Sequence, residues 1–155
     1  MVKIKICGLT NLDDALNAAN AGADYLGFIF AESKRRISES ECLNILKSLR
    51  PRNFNKDIEI VGVFMDQSVD YIKSIDDKCD FDLIQLHGRE NTRDYRRLLN
   101  KPIIRRVVDF CAIEEYSLAE FLLFDKSVDC GVIIEIERLR ELNISEWNPP
   151  LYAGM

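Results

Sequence analysis

The sequence predicts an α/β fold in which strands and helices alternate and the strands run parallel. Three observations carry this. First, short β-rich runs recur at residues 2–6, 25–30, 58–64, 81–86, 103–108 and 121–124, with a seventh at 151–153. Second, several of these runs are almost continuously apolar. That is the habit of strands covered on both faces, as in parallel sheets. Third, helical periodicity fills the gaps, and a strand–helix–strand order implies right-handed parallel crossovers. Two architectures satisfy this rhythm, a doubly wound open sheet and a (βα)8 barrel. Repeats of about 25 residues would need roughly 200 residues to close eight units, so the 155-residue chain is short of a full barrel.

The helices are justified in turn. Leu12, Ala15, Leu16 and Ala19 share one face of the first, with Thr10 before Asp13 as its opening signal. Ala21-Gly22-Ala23 supplies its glycine terminator. Cys42, Ile45, Leu46 and Leu49 repeat the pattern, and Ser38 three residues before Glu41 forms a capping box. Tyr95, Leu98 and Leu99 give a later helix its apolar face.

Composition narrows the function classes. The 21 basic and 26 acidic residues leave a net charge of −5, with 47% apolar and 30% charged residues. That balance suits one domain over residues 1–155 with a real core, and excludes disordered and disulfide-dense chains. Net acidity argues against a nucleic-acid partner. No apolar run approaches the ~20 residues that span a bilayer, and the N-terminus lacks a signal-peptide pattern, so a cytoplasmic location is expected. Five cysteines in no C-x-x-C spacing, with His87 as the one histidine, make a zinc site improbable and predict reduced thiols. Cys42, Cys79, Cys111 and Cys130 read as small apolar filler or incidental surface. The dinucleotide and P-loop glycine patterns are absent, as is G-x-S-x-G.

Five segments point further. Lys5-Ile6-Cys7-Gly8-Leu9-Thr10 ends the first strand. Gly22-Ala23-Asp24-Tyr25-Leu26-Gly27-Phe28, Ser33-Lys34-Arg35-Arg36-Ile37-Ser38, Val61-Gly62-Val63-Phe64 and Gln85-Leu86-His87-Gly88 follow in order. Together they resemble the phosphoribosylanthranilate isomerase family of tryptophan biosynthesis, over residues 1 to about 125. The resemblance implies a (βα)8 TIM-type barrel, here incomplete at about six βα units plus the start of a seventh strand. It also implies a cofactor-free, metal-free Amadori rearrangement of N-(5-phosphoribosyl)anthranilate to 1-(2-carboxyphenylamino)-1-deoxyribulose 5-phosphate.

That chemistry needs an acid to open the ribose ring, a base to take the C2′ proton, and cationic or N–H groups to hold a carboxylate and a phosphate. Cys7, directly after a strand, suits the base as a thiolate; its bland reading is a small buried cysteine. Asp125, after the apolar run 121–124, is the acid the resemblance implies, with Asp129 as its rival. Arg35 is the implied carboxylate anchor and Arg36 the alternative register. Gln85, His87 and Gly88 are expected to shape the substrate pocket. Arg105 stands where a basic residue is common in the family, and Arg96-Arg97 read as a solvated helix face.

The pattern also departs from the family. After the acid the family carries a glycine-rich G-G-x-G-K-x-F-D-W segment, but this chain reads Cys130-Gly131-Val132-Ile133-Ile134-Glu135-Ile136-Glu137. Leu151-Tyr152-Ala153-Gly154-Met155 resembles only the start of the family's seventh-strand segment. The glycine turns that cradle phosphate after strands seven and eight are not in the sequence. The expectations are a C-terminally truncated isomerase with a weakened phosphate grip, and open barrel edges that favour a homo-oligomer. The rival readings are a non-catalytic remnant of the fold serving a structural or interaction role, and a related barrel acting on another sugar phosphate.

Overall fold

The computed structural model describes residues 3–54, 57–107, 118–124 and 151–153. Seven strands form one sheet: β1 (Lys5–Cys7), β2 (Tyr25–Ile29), β3 (Glu59–Phe64), β4 (Leu83–Leu86), β5 (Ile103–Arg106), β6 (Phe121–Phe124) and β7 (Leu151–Ala153). The described helices are α1 (Leu12–Asn20), α2 (Glu39–Leu49), α3 (Val69–Cys79) and α4 (Thr92–Leu98). All six strand pairings are parallel, and the spatial order is the sequence order, β1 to β7. A doubly wound sheet reverses its strand order part-way. This one does not, so the barrel alternative stands: the sheet is an incomplete α/β barrel. Among the described residues, no helix is long and apolar enough to cross a membrane.

Successive side chains in a strand point to opposite faces, which sorts the apolar residues into two layers. Leu26, Phe28, Ile60, Phe64, Ile84, Leu86, Ile103 and Leu122 pack with the helices in the outer layer. Tyr25, Val61, Val63, Leu83 and Ile104 fill the inner face, with Cys7, Ile29, Phe121 and Leu123 against them. The outer core is densest where Phe30, Phe64 and Phe81 meet. The Phe30 and Phe64 rings stack at 5.3 Å, and Phe81 sets its edge to them at 5.6 and 6.3 Å. Gly62 makes room for this cluster, since a Cβ there would lie 2.7 Å from the Phe81 ring.

Local signals set the helix ends. The capping box at Ser38 forms as expected, Glu41 N–H donating to Ser38 Oγ and Ser38 N–H to the Glu41 carboxylate. The Ser38 hydroxyl also donates to the Glu41 carboxylate, and this bond, with that from Ser38 N–H, holds the carboxyl below its ordinary range. The cap of α1 is Asn11 and not Thr10: its side-chain oxygen accepts from Asp14 N–H at 2.8 Å. Gly22 ends that helix with φ +92°. Cys42 and Cys79 are fully buried between α2 and α3, where they hydrogen-bond to each other. That bond and burial push the Cys42 thiol up.

The strand starts share a repeated device. Asp24, Asp82 and Glu120 each stand just before or at the start of an even-numbered strand. Their carboxylates accept the N–H of Ile4, Ile60 and Ile103 on the odd-numbered neighbour, at 2.7 Å each time. Each bond satisfies a strand-end donor with a charged acceptor, the stronger class of hydrogen bond.

Because Phe81 is fully buried with its edge against both Phe30 and Phe64, Phe81→Ala should cost about 3–5 kcal/mol in urea denaturation. A loss below ~1.5 kcal/mol would show that the layer collapses around the vacancy and that the cluster is not the centre of the core.

Candidate active site

In a parallel barrel the C-terminal ends of the strands form one rim, and functional groups collect there. Cys7 is the last residue of β1, His87 directly follows β4, and Arg106 ends β5. Cys7 packs against the inner apolar cluster. Gln85 is on the same face by strand alternation, as are His87 and Arg106. Below them the inner face is lined mainly by Tyr25, Val61, Val63, Leu83 and Ile104.

Two glycines make the first part of the site. Gly27 lies beside Cys7 in the β1–β2 register. A Cβ at Gly27 would lie 2.7 Å from Cys7 Sγ and 3.0 Å from Lys5 Nζ, so thiol and ammonium converge in the space that this glycine leaves. Gly8 has φ +83°, a left-handed conformation that glycine adopts freely. A Cβ at Gly8 would meet Arg35 Cδ at 2.8 Å. The Arg35 side chain thus lies across the turn after β1, and its Nη1 donates to Cys7 O at 2.9 Å. Arg36 takes a different part: its backbone N–H closes the turn on Ser33 O at 3.1 Å, and it bridges Ile29 of β2. Of the two arginines, Arg35 is the one beside Cys7.

The second part spans β4 and β5. Gln85 is 3% exposed, and its side-chain amide meets His87 Nδ1 at 3.1 Å. Arg106 Nη1 donates to His87 O at 3.3 Å. His87 N–H in turn donates to Phe64 O at 2.8 Å, fixing the turn that carries the imidazole.

Behind this turn runs a buried ionic network. Arg105 is 3% exposed and Glu90 7%. Arg105 Nη1 donates to Leu86 O, Gly88 O and the Glu90 carboxylate at 3.1, 2.9 and 3.4 Å. The other Glu90 oxygen accepts from Asp66 N–H at 2.7 Å, and Asp66 Oδ1 accepts from Arg89 N–H at 2.6 Å. Asp66 holds φ +59°, and a Cβ at Gly88 would lie 2.3 Å from its Oδ1. The loops after β3 and β4 are thereby locked onto β5. Burial pushes the Glu90 carboxyl above its ordinary range, although the N–H donors and Arg105 pull the other way.

Cys7, Arg35, Gln85, His87 and Gly88 thus stand along one rim, while Asp125 and its rival Asp129 lie outside the described residues. Arg105 lies within β5, as the sequence placed it. It faces the helix layer and holds loops, and its neighbour Arg106 is the basic residue on the inner face. Strand alternation from inward Ile104 carries that signal in the sequence. The Glu90 and Asp66 partnership had no such local sign.

The sequence model for N-(5'phosphoribosyl)anthranilate (PRA) isomerase matches residues 4–154. The chain belongs to the phosphoribosylanthranilate isomerase family. The match runs well past residue 125, where the motif resemblance stopped. The chain is similar to the N-(5'-phosphoribosyl)anthranilate isomerase of Geotalea uraniireducens (strain Rf4), at 40% identity over 129 residues, covering 79% of this chain and 61% of that protein. It therefore spans about three fifths of the length of the curated relatives it matches. Its fold is similar to phosphoribosyl anthranilate isomerase from Thermus thermophilus, with TM-score 0.78, 30% identity, and 99% and 78% of the two chains covered. A further isomerase of the family, solved with reduced 1-(o-carboxyphenylamino)-1-deoxyribulose 5-phosphate, has TM-score 0.59 and 29% identity, with 99% and 87% covered.

Arg105→Met would leave the buried Glu90 without its cation. At pH 7 the loss of stability should be about 3–5 kcal/mol, the usual cost of breaking a buried pair from one side. The Glu90 carboxyl is already held above its ordinary value, so folding disfavours its charged form. Lowering the pH neutralises it, and the variant should regain part of the loss between neutral pH and the carboxylate range. Thermal unfolding of parent and variant across that range checks this. A deficit that does not shrink with acid would show that Glu90 is not the group left uncompensated.

Proposed function

We propose that this chain acts as a phosphoribosylanthranilate isomerase, converting N-(5'-phosphoribosyl)anthranilate by an Amadori rearrangement within tryptophan biosynthesis in the cytoplasm. One observation carries the reading: Arg35 lies across the Cys7–Gly8 turn with its guanidinium on Cys7 O. A cysteine whose thiolate form can take a proton and a guanidinium able to grip a carboxylate stand together at one strand end. The bound molecule in the solved relative has, by its name, a carboxyphenylamino group, a pentulose and a phosphate.

In this mechanism Arg35 binds the anthranilate carboxylate through its fork of N–H donors. Asp125 donates a proton to the ribose ring oxygen, the C1′–O bond breaks, and the amine lone pair forms the Schiff base. Cys7, as thiolate, removes the C2′ proton, and the electron pair moves to give the enolamine. Tautomerisation to the ketone completes the product with no change in its atoms. Gln85, His87 and Gly88 line the side of the pocket that faces the sugar.

The kinetic test uses purified protein and the decay of substrate fluorescence. Cys7→Ala and Asp125→Asn should each lower kcat by about 10²-fold or more, the usual contribution of a placed acid or base. If Asp129→Asn is the damaging change instead, the acid is Asp129. Arg35→Ala should act on binding, weakening affinity for the carboxylate-bearing substrate by about 1.5–3 kcal/mol. Parent-like turnover in Cys7→Ala would remove Cys7 as the base.

A second element of the reading concerns assembly. Ile4 and Ile6 are 52% and 41% exposed beside and within β1, which pairs with β2 alone among the described residues. An apolar, half-paired strand favours association, and a second copy of this chain is the partner proposed. Light scattering should find an oligomer; a monomer at micromolar concentration would dismiss it.

A further inference from the structure

Two side-chain atoms on the inner face of the rim are buried and have no hydrogen-bond partner among the described residues: Gln85 Oε1 and Arg106 Nε. Buried polar atoms in native proteins are nearly always satisfied, and each one left open costs the desolvation of that group. These two belong to neighbouring strands, β4 and β5. Both side chains are also tied to the same residue. The Gln85 amide meets His87 Nδ1 at 3.1 Å, and Arg106 Nη1 reaches His87 O at 3.3 Å. Their free atoms are thus an acceptor and a donor held around one histidine, at the end of the sheet where Cys7 stands.

We propose that Gln85 and Arg106 form a subsite for one hydroxyl of the substrate's sugar, accepting its proton at Gln85 Oε1 and donating Arg106 Nε–H to its oxygen. The proposal rests on the sugar-phosphate reading above and adds to it a contact residue, Arg106, that the sequence motifs do not mark. The choice of ligand group follows from donor and acceptor counting. A carboxylate or phosphate oxygen would satisfy Arg106 but repel Gln85 Oε1. An ammonium would do the reverse. A hydroxyl carries both a proton and lone pairs, so it satisfies both atoms at once. The site is rigid before the ligand arrives. Gln85 is 3% exposed, and the His87 turn is pinned from behind by Arg105 and from β3 by Phe64 O. Little ordering is therefore left for binding to supply.

The test follows the Arg106 Nε–H and Gln85 side-chain amide signals by nitrogen–proton NMR in the whole 155-residue chain. The probes are ribose 5-phosphate, its 2-deoxy and 3-deoxy analogues, inorganic phosphate and benzoate. Ribose 5-phosphate should move both signals saturably. One deoxy analogue should bind about 10-fold more weakly, as expected for losing one hydrogen bond to a charged group, and leave both signals in place. Arg106→Met and Gln85→Met should each erase that discrimination between sugars while keeping the parent backbone spectrum. Equal binding of all three sugars overturns the subsite. So does an Arg106 shift produced as well by phosphate or benzoate, which would mark an anion site, and so does the lack of any saturable shift at tens of millimolar sugar. The isomerase assay reads the other claim separately. Hydroxyl-dependent shifts without turnover would overturn the isomerase reading alone, and turnover with silent Arg106 and Gln85 signals would overturn the subsite alone.

Discussion

All described helices pack on one side of the sheet, and the rest of the structure follows from that constraint. Strands that succeed one another in space in their sequence order, joined by crossovers of a single hand, cannot place a helix on the second face. That face is still lined with Tyr25, Val61, Val63, Leu83 and Ile104. The sheet can dry it only by facing itself, which imposes curvature and turns all strand C-termini toward one rim. The polar residues divide accordingly. Carboxylates of Asp24, Asp82 and Glu120 tie neighbouring strands at their starts, where they stabilise. Cys7, His87 and Arg106 stand at the opposite ends, where chemistry has access.

Within the rim, two adjacent arginines serve opposite sides of one strand. Arg105 enters the helix layer, where a guanidinium is costly to bury, and offsets that cost with Leu86 O, Gly88 O and Glu90. Its work there is to fasten the loops after β3 and β4. Arg106, one residue on, points to the inner face and touches the backbone of His87. A single-residue shift in β5 would exchange a structural cation for a pocket cation, so the register of this strand matters more than its composition.

The sequence disclosed the strand–helix rhythm because buried parallel strands are continuously apolar and amphipathic helices are periodic. All seven strands lie within or within one residue of the runs read from it, and most are shorter than those runs. The capping box at Ser38 was legible since both of its partners are local. Thr10 was read as the cap of α1 because a threonine hydroxyl can serve, but Asn11 is one residue nearer the helix and reaches Asp14 N–H. Helix α3 was implied by the rhythm without a face of its own being read, because its apolar stripe of Val69, Ile72, Ile75 and Cys79 is set among aspartates and lysines. Motif likeness marked Cys7, Arg35 and His87. It could not mark Glu90 or Asp66, whose importance arises from partners 15 and 24 residues away. Gly27 was visible as a motif letter without its reason, which is the bulk of two side chains from another strand.

The close approach at two glycines ties separate positions into hereditary units. A side chain at residue 8 would need both a left-handed backbone and the removal of Arg35 from its path. A side chain at residue 27 would collide with the side chain that ends the first strand at residue 7. Neither glycine can therefore drift alone: any lineage that enlarges residue 27 must first shrink or abandon the group at residue 7, and one that enlarges residue 8 must release Arg35. Changes at this rim would then arrive as paired substitutions, with the glycine the last to move.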